Sequence, residues 1–250
     1  MTKVFVHGNP ETSVIWGDLV AELADRGIDD VVLLSPPAFG APIPDGFELT
    51  YRSYRAWLIG ELERIVAGSG SPVDLVGHDW GAGHTFGVIA DRPDLLRTWA
   101  ADVVGMLHPD YVWHDAAQIW MVEGVGEDFI GALVALDADS LGGVLGVSAD
   151  LAVPLAAAID ADMGRAILGL YRSAPEPELQ AMFIDMLAAD RRPGLALVAQ
   201  GDQYVSADLS GYVIGQLGAD LADLGDVGHW WMIEEPAGAA DVLTEFWARH

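Results

Sequence analysis

Short apolar runs alternate with longer amphipathic stretches over the first hundred residues. Val4-Phe5-Val6 reads as a buried strand, stopped by the glycine and proline of His7-Gly8-Asn9-Pro10. Trp16, Leu19, Val20 and Leu23 recur at helical spacing, which predicts a helix from about Ser13 to Arg26, ended by Gly27. Val31 to Leu34 predicts a second strand, Tyr51 to Ala67 a helix, Val73 to Val76 a third strand and Ala82 to Ala90 another helix. Strands and helices in this alternation predict a parallel sheet covered on both faces. Further strands are expected at Trp99 to Val104, Leu195 to Ala199 and Asp220 to Leu224, and a closing helix from about Ala237 to Arg249. Between about Leu107 and Arg192 the β-branched runs give way to alanine, glycine and leucine at helical spacing, with aromatic clusters at Tyr111, Trp113 and Trp120. That change divides the chain into an α/β core, residues 1–106 and 191–250, and a helical lid, residues 107–190.

The third strand runs into Gly77-His78-Asp79-Trp80-Gly81, with small residues two before and two after a central reactive group. Between a strand and a helix this is the pattern of a nucleophile elbow, here with aspartate at its tip. Glycine is needed on both sides because a side chain there would meet neighbouring backbone. Parallel sheets bind ligands beyond the carboxyl ends of their strands. Asn9, Asp79, Asp202 and His229 all follow predicted strands, and the order nucleophile, acid, histidine is that of a hydrolytic triad. An ionised aspartate attacks an electrophilic carbon without a base, giving an alkyl ester of Asp79. The base is needed afterwards, when His229, oriented by Asp202, takes a proton from the water that attacks the ester carbonyl. The backbone N–H groups of Trp80 and Asn9 are expected to stabilise the oxygen charge that then develops. Each residue also has a structural reading: Asp79 as a helix cap, Asp202 as a turn residue, His229 and Trp80 as packing.

These motifs resemble the α/β-hydrolases with aspartate nucleophiles, which include haloalkane dehalogenases and epoxide hydrolases. The resemblance rests on His7-Gly8-Asn9-Pro10-Glu11, Gly77-His78-Asp79-Trp80-Gly81-Ala82 and Gly228-His229-Trp230, and follows the element order over nearly the whole chain. It implies the α/β-hydrolase fold, with the lid inserted after the fourth strand. The chain starts at what would be that family's third strand, so a sheet of about six strands is expected. By resemblance to dehalogenases, Asn9 and Trp80 donate N–H bonds to a departing halide. By resemblance to epoxide hydrolases, Tyr171 is one of two lid tyrosines that protonate an opening ring; the other falls near Ala116, with Tyr111 and His114 close by. Asp202 stands in an acid-before-aromatic pattern, and Asp102, near the end of the fourth strand, is a second choice for the acid. The reading is therefore a hydrolase acting through an aspartyl ester, dehalogenase-like first and epoxide hydrolase-like second. A catalytically inactive ligand-binding homologue is the alternative of another class.

Composition narrows the partners. The 250 residues carry 38 acidic and 12 basic side chains, a formal net charge of -26, which repels nucleic acid and anionic membranes. With no cysteine, thiolate metal sites, disulfides and cysteine nucleophiles are excluded. The histidines lack metal-ligand spacing, so neither a metal nor another cofactor is expected. Met1-Thr2-Lys3 leads straight into the first strand and there is no long apolar run, so a cytoplasmic protein is expected. The expected partners are water and a small apolar or moderately polar organic substrate, with the chain a monomer or homodimer.

Overall fold

The computed structural model describes residues 1–250. Its sheet has six strands: β1 (Lys3–Val6), β2 (Val31–Leu34), β3 (Val73–Gly77), β4 (Leu96–Ala101), β5 (Gly194–Val198) and β6 (Asp220–Asp223). All pair in parallel, in the order β2-β1-β3-β4-β5-β6. This is the α/β-hydrolase fold expected from the motifs. After β2 the chain crosses to the far side of β1, so the loops following β1 and β3 leave neighbouring strands in different directions. Such a switch point opens a crevice above the strand ends.

Helices α1 (Gly17–Asp25), α2 (Tyr51–Ser69) and α3 (Trp80–Asp91) connect the first four strands. Thr50 caps α2, its hydroxyl accepting from Ser53 N at 3.3 Å, and Gly70 closes that helix with a φ of 73°, where only glycine is free of strain. Between β4 and β5 lie α4 (Asp115–Met121), α5 (Val125–Val134), α6 (Ala138–Leu145), α7 (Ala149–Ala158), α8 (Ala161–Ser173) and α9 (Glu176–Ala188). Of these, α4, α5 and α8 pack together, α6 pairs with α7, and α9 lies against α3. Helix α10 (Ala207–Leu217) joins β5 to β6, and α11 (Trp231–Glu234) and α12 (Pro236–Ala248) finish the chain, α12 packing on α1. No single helix is long and apolar enough to cross a membrane.

Helices α10 and α11 were not expected from the sequence, and two expected elements differ in extent. The stretch Ser13–Trp16 is a 3-10 turn that precedes α1. More informatively, β4 begins at Leu96 and ends at Ala101, three residues before the expected span at each end. Arg97 and Thr98 hid its start because they are polar, yet both serve the buried Asp74 carboxylate of β3. Arg97 Nε and Nη2 donate to it at 2.7 and 2.6 Å, Thr98 Oγ1 at 2.6 Å and Lys3 Nζ at 2.5 Å. Its early end follows from Val103, whose φ of 44° cannot continue a strand.

Candidate active site

Asp79 sits at the tip of the β3–α3 turn with φ 51° and ψ −122°, a conformation uncommon for any residue with a side chain. The flanking glycines show why it is tolerated. A Cβ at Gly77 would lie 2.7 Å from Gly81 O, and one at Gly81 would lie 2.2 Å from Val6 O, so α3 could not approach β1. Neighbouring β1 delivers the Gly8-Asn9 turn onto the same carboxylate. Asn9 N donates to Asp79 Oδ1 at 2.9 Å and Asn9 Nδ2 at 3.2 Å. Gly8 must be glycine, because a Cβ there would stand 2.0 Å from that oxygen. Of the two backbone donors expected for this carboxylate, Asn9 N is the one that reaches it.

The other oxygen, Asp79 Oδ2, faces His229 Nε2 at 3.7 Å. His229 Nδ1 donates to Asp202 Oδ2 at 2.8 Å. Asp202 is fixed in turn by Tyr204 N at 2.7 Å and Val205 N at 3.2 Å on its Oδ1. The turns after β3, β5 and β6 thus bring together residues 79, 202 and 229. Asp102, the second choice for the acid, does not touch His229. It accepts from His78 Nδ1, from Trp231 Nε1 at 2.7 Å and, through Oδ1, from Asp79 N at 3.0 Å.

Electrostatics follow from this placement. Burial pushes the Asp79 carboxyl up to about 6, opposed by the facing His229 and reinforced by the Glu11 charge. Burial also disfavours a charged His229, but the Asp202 hydrogen bond and charge outweigh it and raise its pKa above the usual imidazole value. Asp202 is held below the ordinary carboxylate value because His229 and two backbone N–H groups overcome the penalty of burial.

Two adjoining small pockets open above Asp79, sharing Asp79, His114, Tyr171 and Tyr204 in their walls. The remaining lining is mostly aromatic and aliphatic, including Trp80, Trp113 and Trp120. Trp80 is stacked on Trp113, ring centroids 5.7 Å apart, and its buried indole Nε1 has no hydrogen-bond partner. The Tyr111 hydroxyl and Trp120 Nε1 are also buried without partners. Unpaired buried donors around a cavity suit a ligand that accepts hydrogen bonds. Tyr171 lies on the roof with its hydroxyl 3.5 Å from His114 Nε2, while Ala116, the sequence position expected for a second tyrosine, carries no phenol. His114 Nδ1 accepts from Ala117 N at 3.3 Å, so in its neutral form Nε2 bears the hydrogen and donates to Tyr171. Burial keeps His114 neutral, its pKa lowered to about 4, and burial together with the Asp79 charge raises the Tyr171 phenol well above its usual range.

Beneath the elbow lies a group that residue spacing did not reveal. Both ring nitrogens of His78 meet carboxylates: Nδ1 that of Asp102, and Nε2 that of Glu11, at 3.1 Å. Glu11 Oε1 also accepts from Trp230 Nε1, and Oε2 from Gly8 N at 3.2 Å. Ligand-type atoms of Glu11, His78 and His229 lie within 4.8 Å of one another. Those of Glu11 and His78 are already committed to this network. The only signal in the sequence was position: Glu11 and His78 each stand within a loop motif.

The alpha/beta hydrolase family model matches residues 4–242. Among curated proteins no sequence matches the chain. The haloalkane dehalogenase DbeA from Bradyrhizobium elkani USDA94 superposes with a TM-score of 0.75 at 20% identity, over 100% of this chain and 91% of that one. A putative ancestral haloalkane dehalogenase, AncHLD2, gives 0.72 at 19% identity, over 99% and 92%. A variant of the N-formylmaleamic acid deformylase Nfo from Pseudomonas putida gives 0.74 at 14% identity, over 97% and 91%. Similarity at these identities is one of fold.

Proposed function

The chain belongs to the alpha/beta hydrolase family, and from that premise we propose that it is a hydrolase in which Asp79 displaces a leaving group from carbon and is then released by water. The observation that carries this reading is the division of labour at one carboxylate. Oδ1 is held by Asn9, leaving Oδ2 beside His229 and the cavity. In the first step Oδ2 bonds to the substrate carbon as the carbon–leaving-group bond breaks. In the second, water adds to Cγ of the ester and gives its proton to His229 Nε2. The negative charge passes to Oδ1, where Asn9 N is already in place. Collapse breaks the Cγ–Oδ2 bond, and the departing alkoxide takes the proton back from His229. Asp202 holds His229 so that Nε2 accepts and Nδ1 donates.

Carbon–halogen cleavage is the leading reaction. Its support is the buried, unpartnered Trp80 Nε1 in the cavity wall together with Asn9 Nδ2 at the carboxylate, two N–H donors suited to a halide. The resemblance of the loop motifs to dehalogenases points the same way. Epoxide opening to a diol is the second reading. It is favoured by the Tyr171 hydroxyl, which accepts from His114 and so turns its own hydrogen toward an opening ring. Residues 107–190, which contribute Trp113, Trp120 and Tyr171 to the cavity walls, would be the lid in either case. The substrate is a small apolar or moderately polar molecule.

His229→Gln leaves the first step intact and removes the base for the second. Turnover should fall by about a thousandfold or more, and the peptide bearing Asp79 should gain the mass of the alkyl group. Incubation with a panel of bromoalkanes and epoxides separates the readings. Halide release with an alkyl adduct supports the first, and adducts from epoxides alone support the second. No adduct from either class, with ligand still bound, makes the protein a non-catalytic binder.

A further inference from the structure

The network under the elbow has no role in the two steps just described, yet every acceptor in it is spoken for. Glu11 and Asp102 are carboxylates, which only accept, so a ring that meets both must donate from both nitrogens. His78 is fully buried, and each of the other donors to the pair comes from a loop that carries part of the site. Gly8 N, beside Asn9, donates to Glu11; Asp79 N donates to Asp102. The indoles of Trp230 and Trp231, the two residues after His229, donate one to each carboxylate. The His78 and His229 rings lie 4.6 Å apart between centroids.

We propose that His78 is a positioning residue: as an imidazolium bridging Glu11 and Asp102 it ties the Asn9, Asp79 and His229 loops to one another and sets a positive charge beside the base. Asn9 and Asp79 are joined directly by hydrogen bonds, but only this network joins both of their loops to the one carrying His229, and a displacement of about 1 Å between nucleophile and base is costly. The charge favours the neutral form of His229, which is the form that accepts a proton from water. The charged and titratable groups around His78 are Glu11 and His7 from the loop after β1, Asp79 next in its own chain, Asp102 after β4 and His229 after β6. Trp16 and Trp231 cover its remaining sides without charge. Burial opposes the charge on His78, but Asp102 and Glu11 outweigh it and raise its pKa well above the usual value.

The test has a spectroscopic arm and a kinetic arm, and only the kinetic one rests on the Asp79 ester reading. In the wild-type protein, long-range proton–nitrogen correlation should show the His78 imidazole still protonated on both nitrogens at about pH 9, far above the ordinary histidine pKa. The signal should vanish in His78→Gln, or be perturbed in Asp102→Asn if the first variant does not fold. If every histidine is neutral by about pH 8, the proposal is overturned whatever the reaction proves to be. In the kinetic arm, the pH at which ester hydrolysis switches on should rise by about one unit in His78→Gln, because a positive neighbour of His229 is gone. For Asp102→Asn, a fall in the His78 pKa gives a shift in the same direction. An unchanged pH profile in a folded variant reduces His78 to a packing residue.

Discussion

In the proposed two-step reaction Asp79 and His229 must each shed a proton, and the fold sets both at unusual points. The Asp79 carboxyl, raised to about 6 by burial, has to be ionised for attack, so ester formation fails below that pH. His229, held above the imidazole norm by Asp202, has to be neutral to deprotonate water, so ester hydrolysis climbs only at higher pH. Turnover should therefore rise with pH through the His229 titration, and the ester should accumulate between the two. Replacing Asp202 by Asn removes the group that raises His229. Pre-steady-state measurement should find the hydrolytic limb moved to lower pH and the rate reduced by about 10²- to 10⁴-fold. A limb that stays in place would count against Asp202 as the acid. These residues were legible because each occupies a motif at a strand end. The linkage of Glu11, His78 and Asp102 was not, since His78 lies 67 positions from Glu11 and 24 from Asp102, and only the parallel sheet makes them neighbours.

Strand β4 shows how an element can hide behind its own chemistry. Its apolar second half advertised a strand, while Arg97 and Thr98 looked like a polar connection until Asp74 accounted for them. The pairing register carries the same imprint: Val73 faces Leu96 but Asp74 faces Thr98, leaving Arg97 as an extra residue, a β-bulge that brings two donors onto one carboxylate. Asp74→Ala would leave Lys3, whose side chain is 7% exposed, and Arg97 without their counter-ion. Loss of one partner from a buried ion pair costs about 3 to 5 kcal/mol. Urea unfolding should give a loss in that range, with the site residues above the opposite end of the sheet unaffected in their chemistry until the fold is lost. A loss below about 1 kcal/mol would mean that the cluster behaves as a surface pair. The elbow, by contrast, was readable as an element, because Gly77 and Gly81 are required by the close approach of β1 and α3 and no other residue fits.

At the scale of the molecule, the order of strands and helices was legible almost throughout, whereas the arrangement of helices α4 to α9 was not: alanine and leucine at helical spacing predict helices without saying which faces meet. Nor could spacing reveal how densely rings surround Asp79, for Trp80, Trp113, Tyr171 and Tyr204 come from four separate segments. The net charge of -26 acts on the whole body at once. Its self-repulsion is screened within about 3 Å at 1 M salt and about 10 Å at 0.1 M. Raising sodium chloride from about 0.1 M to about 1 M should therefore raise the melting temperature by several degrees; a flat or falling trend in calorimetry would show that the acidic side chains are too dispersed to matter. The charge also bears on the cavity above Asp79. In the dehalogenation reading, each cycle creates an anion inside an apolar chamber, and that anion leaves through a body of its own sign. A neutral substrate enters without hindrance, the halide is urged outward, and its return is opposed. The acidity thereby gives the chamber a direction of traffic.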